Sequence, residues 1–562
     1  MTAQLALLFS TLFWFFLFAL STSASPLETP PQQDADRTEN GLHLPIFRRE
    51  SRGMRRRVGG TGSIGLGDFV DVTYSFLATV GGIQTPLVLD TGSSDLWVAS
   101  DACTACTTLL PLFPQSSFAS AGLDVRLLYG DSLTGTHAFG VIGTDAVSFA
   151  GLTVPNQYFA AINNTNANVL DTGSTGIFGL GFPLNSVIWN KIFASKFSSS
   201  SSQPRRSAPR RFLSSNYGTR FFPDLGNLLL GRKRAASSAE LTNAVLRSYP
   251  TEGPAVTRLV TTQALAAPMF TVTLQRDTVD IGGNAGVLSL GELPASVQNS
   301  SLTWVPVRKY PASQGLNPPA DSPNEEYPIA WELFIDDVYL DGVRLPRSNL
   351  SASTIKLSAL IDTGNSLLRG PADVVKVINA QLGGSASSFP CFTPHTLAYQ
   401  IGGQMFPVDP RDFISQAFDG EVTDCVANVV ETDSPVEGQG YQYSWSLGDP
   451  FLKSVLASFY YGNITYPSHD PPRIGLLSTV PSDAGPFLQS ALSKAAAQNG
   501  GELFATTEAA PTGVPAAEAT STGGVPTAVG KLHNGGGSAG VRQLHGGWVM
   551  AALVGAGLFM LV

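Results

Sequence analysis

Short runs that alternate apolar and polar residues recur along most of this chain, separated by turns rich in Gly, Pro and Asp. Residues 69–76 and 330–335 are examples, and their period of two is typical of β-strands that bury one face. Short helices are predicted near 372–382 and 410–418. Because 562 residues exceed what one compact core usually holds, the pattern predicts a mainly β protein of two lobes.

Two of the apolar runs end in the same Asp-Thr-Gly turn, at Asp90 and at Asp362, so each run places a carboxylate at a tight bend. Two such loops that meet face to face would let the carboxylates share one proton, and their pKa values would then separate. One carboxylate could activate a water as a base while the other protonates a carbonyl as an acid. This chemistry hydrolyses an amide bond without a metal, a cofactor or a covalent intermediate.

A third Asp-Thr-Gly begins at Asp171. It runs directly into Gly-Ile-Phe-Gly-Leu at 176–180 and lacks the Leu-Trp-Val that follows the first copy at 96–98. Because Asp-Thr-Gly-Ser is also ordinary turn composition, we interpret Asp171 as a surface turn residue. The paired chemistry is therefore assigned to Asp90 and Asp362.

Further motifs follow in order along the chain: Tyr-Gly at 129–130, Gly-Ile-Phe-Gly-Leu at 176–180, Trp-Val-Pro-Val at 304–307, Trp-Ser-Leu-Gly-Asp-Pro-Phe-Leu at 445–452 and Arg-Ile-Gly-Leu at 473–476. Together with the two Asp-Thr-Gly turns, this set resembles the pepsin-like aspartic proteases from about residue 65 to residue 480. One Asp-Thr-Gly is a weak signal, whereas the ordered set is specific. The resemblance implies an all-β (mainly) bilobal fold, a cleft between the two lobes and an aspartic-type endopeptidase activity at acidic pH.

The resemblance also implies roles for the residues of both turns. Asp90 and Asp362 would hold the reacting water, the threonines would join the loops, and the glycines would allow the sharp turn. Ser93 would hydrogen-bond to Asp90; the second turn has Asn365 at the matching place, and its amide can still donate to a carboxylate. The residues implied to support the two loops are Thr91, Gly92, Ser93, Thr363, Gly364 and Asn365.

A flap is implied at Tyr129, Gly130 and Asp131, closing over the substrate with the Tyr129 hydroxyl toward Trp97. The alternative for Tyr129 and Trp97 is that both are core aromatics. Asp131 could face a substrate Lys or Arg, or could hold the hairpin tip as a turn residue. The preference for basic or hydrophobic residues at the cleavage site therefore stays open.

The resemblance divides the chain into an N-terminal lobe over 58–303 and a C-terminal lobe over 304–480, which meet near Pro306. Residues 196–261 depart from the family pattern, being Ser-rich and then basic. No strand alternation is visible in that insertion, so we expect a mobile loop. Internal cleavage and a basic contact with the cell wall or membrane are functional alternatives to a solvated insertion.

Both ends of the chain read as targeting segments. An apolar run and small residues predict a signal peptide at 1–24, and Arg clusters predict processing of a pro-segment at 25–57. Residues 481–534 are rich in Ala, Gly, Thr and Pro, which predicts a flexible stalk. Asn534, two glycines and an apolar tail predict a glycosylphosphatidylinositol (GPI) anchor at Asn534, with 535–562 removed. A retained membrane-spanning segment is the alternative at either end, and a solvated basic linker is the alternative to the pro-segment.

The chain has four cysteines, and the resemblance implies the disulfides Cys103–Cys106 and Cys391–Cys425. A redox or zinc pair is the alternative for the first pair, although a secreted chain favours disulfides and no metal is expected. The candidates for N-glycosylation are Asn163, Asn299, Asn349 and Asn463.

A net charge of −9 and a pI near 5.2 provide no basic field for nucleic acid. We expect a monomer that acts on proteins or peptides and contacts the membrane through its glycolipid anchor, at the outer face of the plasma membrane or in the cell wall. Glycolipid-anchored members with an inserted first-lobe loop resemble fungal yapsins, which favour basic residues. The alternative function is a non-catalytic cell-wall glycoprotein that retains the protease fold.

Overall fold

The computed structural model describes residues 60–69, 73–130, 135–200, 238–274, 286–294, 297–383, 388–435, 443–498, 500–503, 507–508, 519–522 and 525–528. The expected signal peptide, the pro-segment, the GPI-attachment signal and Asn534 lie outside these residues. Within the described parts of the chain, no helix has the length and apolar character needed to cross a bilayer.

Strands dominate the regular structure, as the alternating pattern predicts. In the N-terminal half they are β1 (Gly62–Gly65), β2 (Gly67–Phe69), β3 (Thr73–Val80), β4 (Ile83–Asp90), β5 (Leu96–Ala99), β6 (Ala119–Tyr129), β7 (Thr136–Phe149), β8 (Leu152–Thr165), β9 (Gly176–Gly179), β10 (Met269–Thr273) and β11 (Val287–Leu290). In the C-terminal half they are β12 (Thr303–Tyr310), β13 (Tyr327–Phe334), β14 (Asp337–Leu340), β15 (Val343–Arg344), β16 (Ser358–Ile361), β17 (Leu368–Pro371), β18 (Phe389–Pro390), β19 (Leu397–Ile401), β20 (Gln404–Pro407), β21 (Ile414–Gln416), β22 (Asp424–Ala427), β23 (Val429–Thr432), β24 (Trp445–Leu447), β25 (Val455–Tyr460), β26 (Arg473–Ser478), β27 (Thr507–Glu508), β28 (Ala519–Thr522) and β29 (Val525–Ala528).

The α-helices are fewer and lie at the edges of the sheets. They are α1 (Val187–Ser200), α2 (Ser238–Glu252), α3 (Ala255–Thr261), α4 (Ala372–Leu382), α5 (Pro410–Phe413), α6 (Asp449–Leu452) and α7 (Ala484–Gln498). Short 3-10 helices lie at Gln115–Ser117, Asn168–Leu170, Pro183–Asn185 and Asn299–Ser301. The helix predicted at 372–382 is confirmed as α4, whereas α5 ends at Phe413 and the chain continues as strand β21.

Two large sheets organise the molecule. The first lobe contains a nine-stranded sheet in the order β27-β2-β3-β4-β9-β5-β8-β7-β6. An eleven-stranded sheet, in the order β1-β11-β10-β25-β26-β12-β13-β16-β24-β17-β23, combines strands from both halves of the chain. The smaller sheets are β15-β14-β19-β20, β18-β22-β21 and β28-β29. The two halves of the chain are therefore hydrogen-bonded to each other through the eleven-stranded sheet.

The same strand arrangement occurs once in each lobe. In the first lobe β4 runs parallel to β9, β5 runs antiparallel to β9, and β8 runs parallel to β5. In the second lobe β16 runs parallel to β24, β17 runs antiparallel to β24, and β23 runs parallel to β17. Each Asp-Thr-Gly turn leaves the first strand of this arrangement, so the two turns occupy equivalent positions.

The expectation of a mobile loop over 196–261 is wrong for its C-terminal part. Helices α2 and α3 cover that part, and the side chain of Tyr249 is buried in the main hydrophobic core. The indole of Trp189 in α1 donates a hydrogen bond to Ser248 in α2 at 2.8 Å. The helices bury an apolar face that can be recognised only against the rest of the lobe, because a neighbouring basic run dominates the local composition. Residues 201–237 lie outside the described residues.

The expectation of a flexible stalk over 481–534 is wrong for its first part. Helix α7 occupies 484–498 and packs against α5. Strand β27 then pairs with β2 of the first lobe. The stripe that α7 buries consists largely of alanines, which is why the composition resembles that of a stalk; its buried residues are Ala484, Leu488, Ala491, Leu492 and Ala495.

Both disulfides implied by the resemblance are present. Cys103–Cys106 closes a small loop that follows β5, and Cys391–Cys425 joins the neighbourhood of β18 to β22. All four cysteines are bonded, so the alternative of a redox or zinc pair at Cys103 and Cys106 does not describe this structure.

Candidate active site

Each Asp-Thr-Gly turn is presented at the end of a buried strand. Asp90 is the last residue of β4, and Asp362 directly follows β16. The backbone anchors both: the Leu180 N–H donates to the Asp90 carbonyl at 2.7 Å, and the Asp362 N–H donates to the Leu447 carbonyl at 3.0 Å. Apolar strands therefore hold two carboxylates at the sheet ends where the lobes meet.

Four reciprocal hydrogen bonds join the two turns. The Thr91 hydroxyl donates to the Ile361 carbonyl at 2.8 Å, and the Thr363 hydroxyl donates to the Leu89 carbonyl at 2.7 Å. Each threonine N–H donates to the hydroxyl oxygen of the other threonine at 3.0 Å. Because these groups are buried, leaving any of them unpaired would cost about 1–3 kcal/mol. The bonds thus fix the separation of the two loops.

The glycines of the turns bring the carboxylates close together. A Cβ atom on Gly364 would lie 2.6 Å from Asp90 Oδ1, and one on Gly92 would lie 2.6 Å from Asp362 Oδ2. Each glycine therefore faces the carboxylate of the opposite loop, and any side chain would collide with it. The structure brings Asp90 and Asp362 together as neighbours, as the sequence predicts.

The pair is arranged to hold one proton. Burial and the nearby Asp90 carboxylate raise the pKa of Asp362 to about 7, while the Gly364 N–H and Arg369 oppose that shift. Burial also raises the pKa of Asp90, but hydrogen bonds from Ser93 and Gly92 oppose the rise. Donors to an ionised carboxylate favour the charged form. The arrangement therefore favours the anion on Asp90 and the shared proton on Asp362.

The comparison with protein families agrees with this geometry. The model of the family described as eukaryotic aspartyl protease matches residues 79–201 and 239–466, which is more than half of the chain. The chain belongs to this family. It is an aspartic endopeptidase with the pepsin-like fold, and the gap in the match falls where residues 201–237 lie outside the described structure.

Curated relatives align with most of the length of the protease. It is 24% identical to major aspartyl peptidase 1 of Cryptococcus neoformans over 441 residues, which is 74% of this chain and 72% of the relative. It is 26% identical to gastricsin of Mus musculus over 70% of this chain and 80% of the relative. It is also 26% identical to rhizopuspepsin-2 of Rhizopus niveus, over 74% of this chain and 83% of the relative.

Asn365 does not take the place that Ser93 has in the first loop. The Ser93 hydroxyl and N–H both donate to the Asp90 carboxylate. The Asn365 amide instead donates to the Ser446 hydroxyl at 3.0 Å, and its oxygen accepts from Arg369 Nε at 3.1 Å. The expectation that Asn365 can donate to the Asp362 carboxylate is therefore wrong in this aspartic protease.

The segment expected to form a flap lies in the antiparallel pair of β6 and β7, where Tyr129 pairs with Thr136. Tyr129 packs against the cluster that contains the fully buried Trp97, so these aromatics are also core residues. Burial raises the pKa of Tyr129, the carboxylates of Asp95 and Asp90 raise it further, and Trp97 opposes the shift. Gly130 follows with φ +81°, which favours glycine. Asp131 lies outside the described residues.

Asp95 is a residue that sequence reasoning missed. Its buried carboxylate accepts hydrogen bonds from the Ser186 hydroxyl at 2.5 Å and from the Val187 and Ile188 N–H groups at 2.8 and 3.1 Å. It thereby caps the N-terminus of α1. Burial raises its pKa to about 6, against the hydrogen bond from Ser186. No local signal could reveal this cap, because the helix begins about ninety residues later.

The remaining candidates are dispersed. Asp171 lies in an exposed turn after the 3-10 helix Asn168–Leu170, away from the paired loops. The asparagines of three N-glycosylation sequons are exposed: Asn163, Asn299 and Asn349. Asn463 is half-buried, and its side-chain oxygen accepts N–H bonds from Thr465 and Tyr466.

Proposed function

We propose that this protease is secreted, held at the outer cell surface by a GPI anchor, and cleaves internal peptide bonds at acidic pH with Asp90 and Asp362 as its catalytic pair. The observation that carries the catalytic assignment is that the buried Asp90 carboxylate and the half-buried Asp362 carboxylate face each other across Gly92 and Gly364. In the third Asp-Thr-Gly no carboxylate faces the glycine, because no atom of the described residues lies within 4 Å of a Cβ placed on Gly173.

In the proposed reaction, Asp90 takes a proton from a water as the water oxygen attacks the peptide carbonyl carbon. Asp362 gives its proton to the carbonyl oxygen, which produces a neutral tetrahedral diol. The carbon–nitrogen bond then breaks as the nitrogen takes the proton from Asp90, and a diol hydroxyl returns a proton to Asp362. The pair ends in its starting state. Because the pKa of Asp362 lies at about 7, the required single proton is lost toward neutral pH.

Peptide hydrolysis by purified variants tests the catalytic assignment. Asp90→Asn and Asp362→Asn should each lower kcat/KM by at least about a thousandfold, because either the base or the acid is removed. Asp171→Asn is the matched control and should keep the wild-type rate and its inhibition by pepstatin. Full activity of Asp90→Asn or Asp362→Asn at acidic pH would remove that residue from the mechanism.

Secretion and anchoring follow from the ends of the chain. The apolar run followed by small residues supports removal of 1–24, and the Arg clusters before Val58 support removal of 25–57. Small residues at Asn534 and the apolar tail over 535–562 support a GPI anchor. Phosphatidylinositol-specific phospholipase should release the protein from intact cells. A chain that lacks 535–562 is the control and should reach the medium without the enzyme.

The basic insertion and the anchor together support a yapsin-like subtype within the family. A peptide library with all residue types on both sides of the scissile bond distinguishes a basic from a hydrophobic preference. Enrichment of Lys or Arg next to the cleaved bond is the expected outcome for the yapsin-like subtype. A profile dominated by Phe and Leu would place the enzyme with the broadly hydrophobic members instead.

A further inference from the structure

The two catalytic carboxylates accept different numbers of hydrogen bonds from their own loops. Asp90 accepts the Gly92 N–H at 2.8 Å, the Ser93 N–H at 3.1 Å and the Ser93 hydroxyl. Asp362 accepts the Gly364 N–H at 3.0 Å, and no other described residue outside the pair donates to it. A second source of stabilisation for the Asp362 anion is therefore expected if both carboxylates are to exchange protons during the reaction.

Asn365 belongs to the turn of Asp362, whose carbonyl accepts the Asn365 N–H at 3.3 Å, and Arg369 contacts the Asn365 side chain. Asn365 is only 8% exposed, and its amide nitrogen is held by the Ser446 hydroxyl at 3.0 Å. Its amide oxygen accepts from the Leu367 N–H at 3.2 Å and from Arg369 Nε at 3.1 Å. Arg369 lies directly opposite Ser446 in the pairing of β17 with β24, so these two side chains share one face of the sheet, and both contact the Asn365 amide.

Of the charged groups around Asp362, some raise its pKa and others lower it. Asp90 on the first loop raises the pKa of Asp362, and Arg369 on β17 lowers it. Glu431 on β23 lies opposite Gly370, so it points to the other face from Arg369 and pairs with Lys376 at 3.8 Å. The pKa of Tyr129 on the flap is raised by Asp90 and not by Asp362. Arg369 is thus the cation that acts on Asp362 among the described residues.

We propose that Asn365 and Arg369 are a positioning pair for the second catalytic aspartate: Asn365 holds the Arg369 guanidinium beside Asp362, where its positive charge replaces the hydroxyl donor that Ser93 gives to Asp90. The proposal rests on the proposed catalytic role of Asp362. It explains why an asparagine is compatible with an active second loop. A serine or threonine would have to donate to the carboxylate directly, whereas the asparagine acts through the arginine.

The pH dependence of kcat/KM tests the pair. Arg369→Gln removes a cation that favours ionised Asp362, so the alkaline limb of the bell-shaped profile, where Asp362 loses its proton, should move to higher pH by about one unit. Arg369→Lys keeps the charge and should stay close to wild type. Arg344→Gln is the matched control, because exposed Arg344 pairs with Asp337 at 2.9 Å and does not act on Asp362; its profile should not move.

Asn365→Ala tests whether the amide holds the arginine. It should shift the profile in the same direction as Arg369→Gln, and the double variant should shift no further than the larger single shift, because both changes remove one interaction. If Arg369→Gln does not fold, as judged by thermal unfolding, Asn365→Ala still reports on the same contact.

Two results would overturn the proposal. The first is a pH profile of active, folded Arg369→Gln or Asn365→Ala that coincides with the wild-type profile. The second is a double variant in which the two single shifts add. Failure of the proposed function has a different signature. In that case the wild-type enzyme is inactive on peptides, or Asp362→Asn keeps full activity.

Discussion

The two catalytic loops share a backbone arrangement but differ in the side chains that serve it. Both leave the first strand of the same arrangement, and both use a threonine in reciprocal hydrogen bonds. At the third position after the aspartate the first loop has Ser93 and the second has Asn365. Symmetry of the backbone therefore fixes where the carboxylates lie, and asymmetry of the side chains fixes which one holds the proton.

Farther along the loops the difference grows. Five positions after the aspartate, the first loop has the helix cap Asp95 and the second has Leu367. Seven positions after it, the first loop has Trp97, packed in the cluster below the flap, and the second has Arg369. The first loop is thus linked by packing to the hairpin of β6 and β7. The second loop has no flap of this kind in the described structure and is tuned by a charge instead.

The largest expected effect on the rate comes from the feature that both loops share, the glycine that follows each Asp-Thr pair. Gly92→Ala and Gly364→Ala each place a methyl group against the opposite carboxylate, so both should lower kcat by about a hundredfold or more. Gly173→Ala, in the third Asp-Thr-Gly, is the control: no atom lies within 4 Å of the added carbon, so activity should remain, although φ +74° strains an alanine and should lower stability. Loss from only one of the two catalytic glycines would contradict the symmetric arrangement.

The next prediction concerns Asp95, which the second loop lacks. Because the folded protein raises the pKa of this carboxyl from 3.8 to about 6, folding favours its protonated form. Its contribution to the free energy of unfolding is therefore complete below pH 3.8 and falls by about 3 kcal/mol as the pH rises past 6. Asp95→Asn should flatten this decline, as measured by urea unfolding between pH 4 and pH 7.

Leu367→Asn is the matched control for Asp95 because it changes the equivalent position of the second loop. It should leave the slope of stability against pH unchanged, whatever it does to stability itself. A residual decline is expected in Asp95→Asn, since Asp362 has a raised pKa of the same sign. An Asp95→Asn slope equal to wild type would show that Asp95 does not set the pH dependence.

The smallest expected effect on the rate compares a hydroxyl that donates directly to Asp90 with a hydroxyl that supports Asn365 beside Asp362. Ser93→Ala removes one hydroxyl donor from Asp90 and should lower kcat/KM by about tenfold. Ser446→Ala removes only the support of Asn365 and should cost less, with a small shift of the pH profile to higher pH. Rates for both variants across pH 2 to 7, on one peptide substrate, make the comparison. A larger loss from Ser446→Ala than from Ser93→Ala would contradict it.

Local sequence patterns predicted the features that depend on residues close together in the chain. Period-two alternation predicted a mainly β chain, and the short helix predicted near 372–382 has the bounds of α4. The Asp-Thr-Gly turns, read in order with the later motifs, identified Asp90 and Asp362. Helices α2, α3 and α7 were missed because their buried faces are small or flanked by basic and Ala-rich sequence, so composition masked them.

By itself, the sequence determined the class of fold, the family and the identity of the paired aspartates, because each depends on residue types at short spacing. Only the tertiary structure decided the partners of those aspartates. Asp95 meets a helix that begins far along the chain, Thr91 meets Thr363 of the other lobe, and Asn365 turns away from Asp362 toward Ser446 and Arg369. Such pairings depend on how strands from distant segments lie side by side, and no local pattern contains that information.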